Sequence, residues 1–391
     1  MAGTIGIDAL GVAPFNEQLL SQVSQSAVAG GMVVSGLADI LSSIGSFGTK
    51  PTVGVCIGAA NAKVAEVRKV GKTWKLVRFG ISALPEDSVV NREIFNPVGV
   101  TGAIQAAVSQ AKISQKLVVT GMGGSSIILK RMTVEVQRAS ELQDAVFWEA
   151  EQYLPFDPSE VSMDFHTISR GKDAKTDVLF VAAKLSVMDG FVSAVEGAGL
   201  KVKVFDTEYF ALQNIFEANY DARPGEAVAL VDIGASTLKV LVLHDGVPVF
   251  TKESPMGGKN LTAEIQRQMN LSMSDAEALK VGQGRGAVPQ EIAELTQVAV
   301  ENFATEIRRA LDFYNASSSG APVSYVLVTG GSSQIPELSK GIEERVGLPV
   351  QILNPFARIG YDEKVFTPEL IASIAPVVAV PMGYALRGGQ G

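Results

Sequence analysis

Two stretches of the chain set the same small residues between apolar runs. Residues 52–71 read TVGVCIGAANAKVAEVRKVG and residues 227–246 read AVALVDIGASTLKVLVLHDG. At a constant offset Gly58 falls on Gly234, Ala59 on Ala235 and Lys63 on Lys239, whereas Cys56 falls on Asp232. Each reads as strand, turn and strand. A turn of small residues lets backbone N–H groups approach a phosphate without obstruction by Cβ, and the Ser236 and Thr237 hydroxyls add donors. Two such turns facing each other would grip a polyphosphate from both sides. An acid at a strand end, Asp232, is repelled by phosphate and would instead hold Mg2+ or its waters. Cys56 cannot do the same: a thiol on a buried strand behaves as a small hydrophobe, and no neighbouring base in sequence activates it as a nucleophile.

The elements that must position these turns follow an α/β alternation from residue 51. Strands are predicted at 52–58, 62–70 and 74–82, then a helix at about 98–112, and in the second half strands at 227–233, 237–243 and 247–253. LVVTGMGGSS (117–126) and VLVTGGSS (326–333) repeat a strand–glycine element in each half. The glycines of the latter, Gly330 and Gly331 with Ser332, would let a flat adenine or ribose lie against the backbone. Residues 127–205 read as strand–helix–strand–strand–helix–strand, an inserted α+β subdomain. Its first helix, capped near Ser140, places Leu142, Val146, Ala150 and Leu154 on one side and stops before Pro155. Core packing is expected for Phe147 and Trp148, while Tyr153 and Phe156 flank Pro155 and could face a peptide.

With 391 residues, 47% apolar and 19% charged, the chain can bury a large core and is expected to form two domains or one domain with a cleft. A formal charge of −8 without a long basic run argues against a nucleic-acid ligand. One cysteine and two histidines provide neither an internal disulfide nor a metal cluster, which points to the reducing cytoplasm. No apolar run of about 18 residues is uninterrupted, so a soluble protein is expected. Residues 1–50 are poor in charge and rich in Gly, Ser and Ala, and read as a separate extension with two short amphipathic patterns. IGIDALG (5–11) mimics the glycine motif but is not followed by a second strand.

VDIGASTLKVLVL, MGGKNLT, AEALK and VLVTGGSSQIPEL, in this order, resemble the phosphate, glycine-pair, ribose and adenosine motifs of the actin-like ATPase superfamily. Within it, EAEQYLPFDPSEVSMDF, FDTEYFALQN, EIRRALDFY, LNPF and PVVAVPMGYALR are similar to the type IV pilus assembly protein PilM family, over about residues 51–387. The resemblance implies a two-lobed actin-like (ribonuclease H-like) α/β fold with the small insertion in the first lobe, as in the division protein FtsA. The expected divisions are an extension 1–50, first lobe 51–126, insertion 127–205, first lobe again 206–225, second lobe 226–355 and a return to the first lobe at 356–391. It implies ATP and Mg2+ between the lobes: Gly58, Ala59 and Lys63 at the first phosphate turn, Asp232, Gly234, Ala235, Ser236 and Thr237 at the second. Gly257 and Gly258 would lie near the phosphates, Glu277 and Lys280 near the ribose, and Gly330, Gly331 and Ser332 near the adenine. From spacing alone Glu277 and Lys280 read as a solvated i,i+3 pair. The family normally carries aspartate at the position of Cys56, so hydrolysis is expected to be slow at most. The implied role is a cytoplasmic scaffold of the pilus machine, held at the inner membrane through the N-terminal tail of a PilN-like protein. Other readings are an FtsA-like division tether, which would need a membrane-binding amphipathic helix, a type II secretion scaffold, and a small-molecule kinase.

Overall fold

The computed structural model describes residues 51–136, 138–171, 173–283, 289–317 and 320–389. The extension and its motifs lie outside the described residues. In the first half, β1 (Thr52–Ile57), β2 (Asn61–Val70) and β3 (Thr73–Ala83) form an antiparallel meander. β6 (Leu117–Met122) and β10 (Lys201–Thr207) extend it in parallel on the β1 side. In the second half, β11 (Ala227–Ile233), β12 (Leu238–His244) and β13 (Val247–Ser254) form the same meander, extended by β14 (Val323–Thr329) and β15 (Val350–Ile352). The duplicated motif is therefore a duplicated sheet. The short β16 (Gly360–Tyr361) returns late in the chain to pair with β3.

Alternation along the strands assigns each sheet face to a helix layer, because successive side chains point to opposite sides. On β1, Val53, Val55 and Ile57 join α1 (Pro97–Ala111) and α3 (Leu185–Gly197) in an outer core. On β11, Ala227, Ala229, Val231 and Ile233 join α5 (Gly258–Met269), α6 (Met273–Lys280), α7 (Gln290–Ser317) and α8 (Leu338–Val346) in the other. The inner faces, with Cys56, Leu76, Val228, Leu230 and Leu327, close on α4 (Glu208–Asn219) and α9 (Pro368–Gly388). These two helices form a middle layer shared by both lobes. Helix α9 is long and apolar enough to cross a membrane, yet its most apolar stretch is 67% buried inside the fold.

The 127–205 block divides differently from its sequence reading. β7 (Ile127–Glu135), β8 (Val161–Arg170) and β9 (Lys175–Lys184) make a separate sheet in the order β7-β9-β8, covered on one face by α2 (Leu142–Glu151). The remaining helix and strand, α3 and β10, belong to the first lobe. β10 reaches β6 from about 80 residues further along the chain, a parallel pairing that local pattern does not encode. Leu142, Val146 and Ala150 are buried as expected, but the helix starts after a 3-10 turn at Ala139–Glu141 and Ser140 is not its cap. Phe147 makes edge contacts with Phe165 and Phe180. Trp148 is 75% exposed, contrary to expectation, because two residues past Val146 the helix has turned its side chain to solvent.

Candidate functional site

Both hairpins end in the same turn. The Gly58 N–H donates to the Asn61 carbonyl at 3.0 Å and the Gly234 N–H to the Thr237 carbonyl at 2.9 Å. The next residues, Ala59 and Ala60 in one lobe and Ala235 and Ser236 in the other, are half-exposed or exposed. Their N–H groups make no hydrogen bond among the described residues, which leaves a set of unused backbone donors at each turn. A Cβ built on Gly58 would lie 3.7 Å from Lys63 Nζ, so this ammonium sits at the first turn.

The predicted nucleotide residues of the second lobe converge. Gly258 and Lys259 donate their N–H groups to the Gly234 and Ala235 carbonyls at 3.0 and 2.8 Å, and Ser332 Oγ donates to Gly234 at 2.9 Å. A Cβ on Gly257 would stand 2.4 Å from the Ala235 carbonyl, and one on Gly258 2.2 Å from Ser332 Oγ. Gly330 adopts φ +92°, and a Cβ there would meet Asp232 Oδ1 at 2.4 Å. Gly331 opens the 3-10 turn that follows. Lys280 is buried and donates to Glu277 at 2.7 Å and to Thr262 at 3.0 Å, so its end of the pair is not solvated.

Beneath Thr237 lies a buried charge network that sequence reasoning missed. Lys239 stands opposite Asp232 in the β11–β12 register and bonds both Asp232 and, at 2.5 Å, Glu208. Arg92, from the loop between the short strands β4 (Val89–Val90) and β5 (Glu93–Ile94), donates to Glu208 at 3.1 Å, Thr237 at 2.8 Å and Glu253 at 3.1 Å. Its φ of +68° is one that non-glycine residues rarely adopt, held here by three partners. Burial alone would raise the Glu208 carboxyl, but Arg92, Lys239 and Lys63 hold it at about 2. Burial drives the Cys56 thiol up to about 11, so it is neutral and no nucleophile. The available signal was Lys239 itself, a lone charge in the apolar run LKVLVLH.

A second concavity separates the inserted sheet from the first lobe. Ser162, Asp164 and His166 of β8 and Leu179, Val181 and Ala183 of β9 line one wall, while Val204 to Thr207, Phe210 and Arg387 line the other. The outer edge of β8 pairs with no strand among the described residues. Asp206 Oδ2 is buried here without a hydrogen bond, 3.7 Å from Arg387 Nε. Burial pushes its carboxyl up to about 6, against the opposing pull of Arg387. Because this folded value exceeds the ordinary 3.8, the Asp206 contribution to stability is full below about 3.8 and is lost as the pH rises through about 6. Asp206→Asn is therefore expected to raise stability above pH 6 by about 2–3 kcal/mol and to remove the decline between those values, read as melting temperature against pH.

A family model described as type IV pilus assembly protein PilM matches residues 54–389. The chain belongs to the PilM family. A PilM–PilN type IV pilus biogenesis complex superposes on 86% of this chain and 98% of that one, with a TM-score of 0.76 and 28% identity. The ethanolamine utilization protein EutJ of Carboxydothermus hydrogenoformans shares the fold, at TM-score 0.53 and 16% identity over 88% of this chain and 91% of that one. Cell division protein FtsA of Enterococcus hirae is 26% identical over 49% of this chain and 47% of its own length. FtsA of Bacillus subtilis is 22% identical over 63% and 62%. The chain thus spans about half to three fifths of these curated relatives, and the fold is actin-like.

In this PilM-family chain the residues implied for the second phosphate turn, the glycine pair, the ribose helix and the adenosine turn form one cluster. Lys63, at the first turn, stands near enough to the charge network to lower the Glu208 carboxyl. Tyr153 and Phe156 do not line the groove. Lys130 Nζ covers the Tyr153 ring at 4.6 Å, and Phe156 packs on the core of the inserted sheet with Lys184 Nζ at 5.2 Å. The free turn donors and Lys63 fit a nucleotide's phosphates. Magnesium does not fit as a direct ligand of Asp232, because Lys239 engages one carboxylate oxygen and the other lies against Gly330.

Proposed function

We propose that this chain is a cytoplasmic nucleotide-binding scaffold of the type IV pilus machine, held at the inner membrane through the cytoplasmic tail of a PilN-like protein. The groove carries the partner half of this reading. It joins an unpaired strand edge, an apolar wall and a buried acceptor, the combination by which an extended segment binds through main-chain pairing and side-chain pockets. The solved PilM–PilN complex supports a partner of this kind. ATP would lie between the paired turns, with its adenine towards Gly330 and Ser332. The neutral Cys56 and the committed Asp232 favour retention of nucleotide over turnover.

Filling the groove tests the partner. Ser162→Trp places a large side chain on the wall facing β10 without touching the α2 side of the sheet. Affinity for a labelled PilN-like tail peptide is expected to fall at least about tenfold, or 1.4 kcal/mol, with unchanged melting. Unchanged affinity in a folded variant would place the partner elsewhere.

A further inference from the structure

The carboxylates of the buried network are all matched to cations. Asp232 is paired with Lys239. Glu208 accepts from Arg92 with one oxygen and from Lys239 with the other. Both oxygens of Glu253 accept from Arg92, at 3.3 and 3.1 Å. Lys63 lies close enough to lower the Glu208 carboxyl, so three cations face three carboxylates. Among the described residues, no group of three or more His, Cys, Asp or Glu is arranged to hold a metal.

We propose that Lys239 is a resident substitute for the divalent cation, so that this cleft binds a nucleoside polyphosphate without magnesium. The proposal rests on the nucleotide reading above and adds the charge state of the ligand. Magnesium demands a near-octahedral oxygen set and gives up its waters reluctantly. To coordinate Asp232 directly it would have to displace an ammonium that is itself buried and held by two carboxylates. That exchange leaves a buried charge unpaired, at a cost a surface site would not meet. Lys63 beside Gly58 instead meets the phosphates together with the free N–H groups of the turns. The register supports the assignment. Lys63 pairs with Cys56 across β1–β2 as Lys239 pairs with Asp232 across β11–β12, so each lobe carries its own lysine beside its turn.

The test is ATP binding to the full chain by calorimetry, in excess EDTA and in millimolar Mg2+. The expected result is an affinity that differs by less than about twofold between the two buffers. An affinity higher by about tenfold or more with Mg2+ would overturn the proposal while leaving the nucleotide reading intact. Absence of ATP binding in both buffers would overturn the nucleotide reading and the proposal with it. Two variants then assign the effect. Lys239→Gln with Glu208→Gln removes one charge of each sign and frees Asp232, and is expected to create an Mg2+ dependence of about tenfold. Cys56→Asp adds a fourth carboxylate against three cations and should do the same. Folded variants that remain indifferent to Mg2+ would overturn the role given to Lys239. If neither variant folds, the wild-type comparison alone decides.

Discussion

Lys239→Ala is expected to destabilise the protein by about 3–5 kcal/mol, measured by denaturant unfolding. The ammonium is almost fully buried between Asp232 and Glu208, and alanine would leave Asp232 without its cation in a site that water barely reaches. Glu208 keeps Arg92, so the loss falls mainly on Asp232. Removing the opposed charges together should cost much less, because the penalty comes from the unmatched carboxylate rather than from the missing bond. Lys239→Met with Asp232→Asn is therefore expected to recover at least half of the loss. The single variant should also become more acid-tolerant in relative terms. In the wild type, Glu208 is held at about 2 against an ordinary 4.5, so its contribution is present above 4.5 and lost as the pH falls through about 2. Without Lys239 that acid-labile contribution shrinks.

Gly383→Ala is expected to cost about 1–3 kcal/mol or more through overpacking, although alanine is the better helix former. Helix α9 lies directly on α4 at this point, and a Cβ on Gly383 would stand 2.0 Å from the Ala211 carbonyl oxygen. Backbone cannot yield as the end of a flexible side chain can. A sheet glycine shows the same close approach: a Cβ on Gly54 would stand 2.0 Å from the Pro381 carbonyl. The middle layer therefore has no room to slide. It also touches both candidate sites, since the Pro376 carbonyl accepts from Gly330 N–H at 2.9 Å and Arg387 stands beside Asp206. Thermal melting measures the stability loss. Gly102, where a Cβ meets nothing within 4 Å, provides the control: Gly102→Ala in α1 should be neutral or stabilising.

The parts of this molecule that depend on neighbours in sequence were legible in it. Strands β1 to β3 and β11 to β13 follow from alternation and turn residues a few positions apart. The matching turns at Gly58 and Gly234 follow from their duplicated spelling, and the family from motifs in a fixed order. Proximity of Gly257, Gly258, Lys280 and Ser332 to the second turn was implied by those motifs, and their hydrogen bonds are local to one lobe. The charge network was not legible, because Arg92 meets Glu208, Thr237 and Glu253 across 116, 145 and 161 residues. A charged residue in a loop has the same sequence appearance whether it faces water or a buried acid. Tertiary structure alone likewise gave β10 to the first lobe and aimed Asp206 into the groove. It also paired Asp232 with a buried lysine. Sequence determined the elements through short-range periodicity and backbone sterics. Which polar groups lost water, and which opposite charges then had to be brought to them, was decided only when the two lobes closed on α4 and α9.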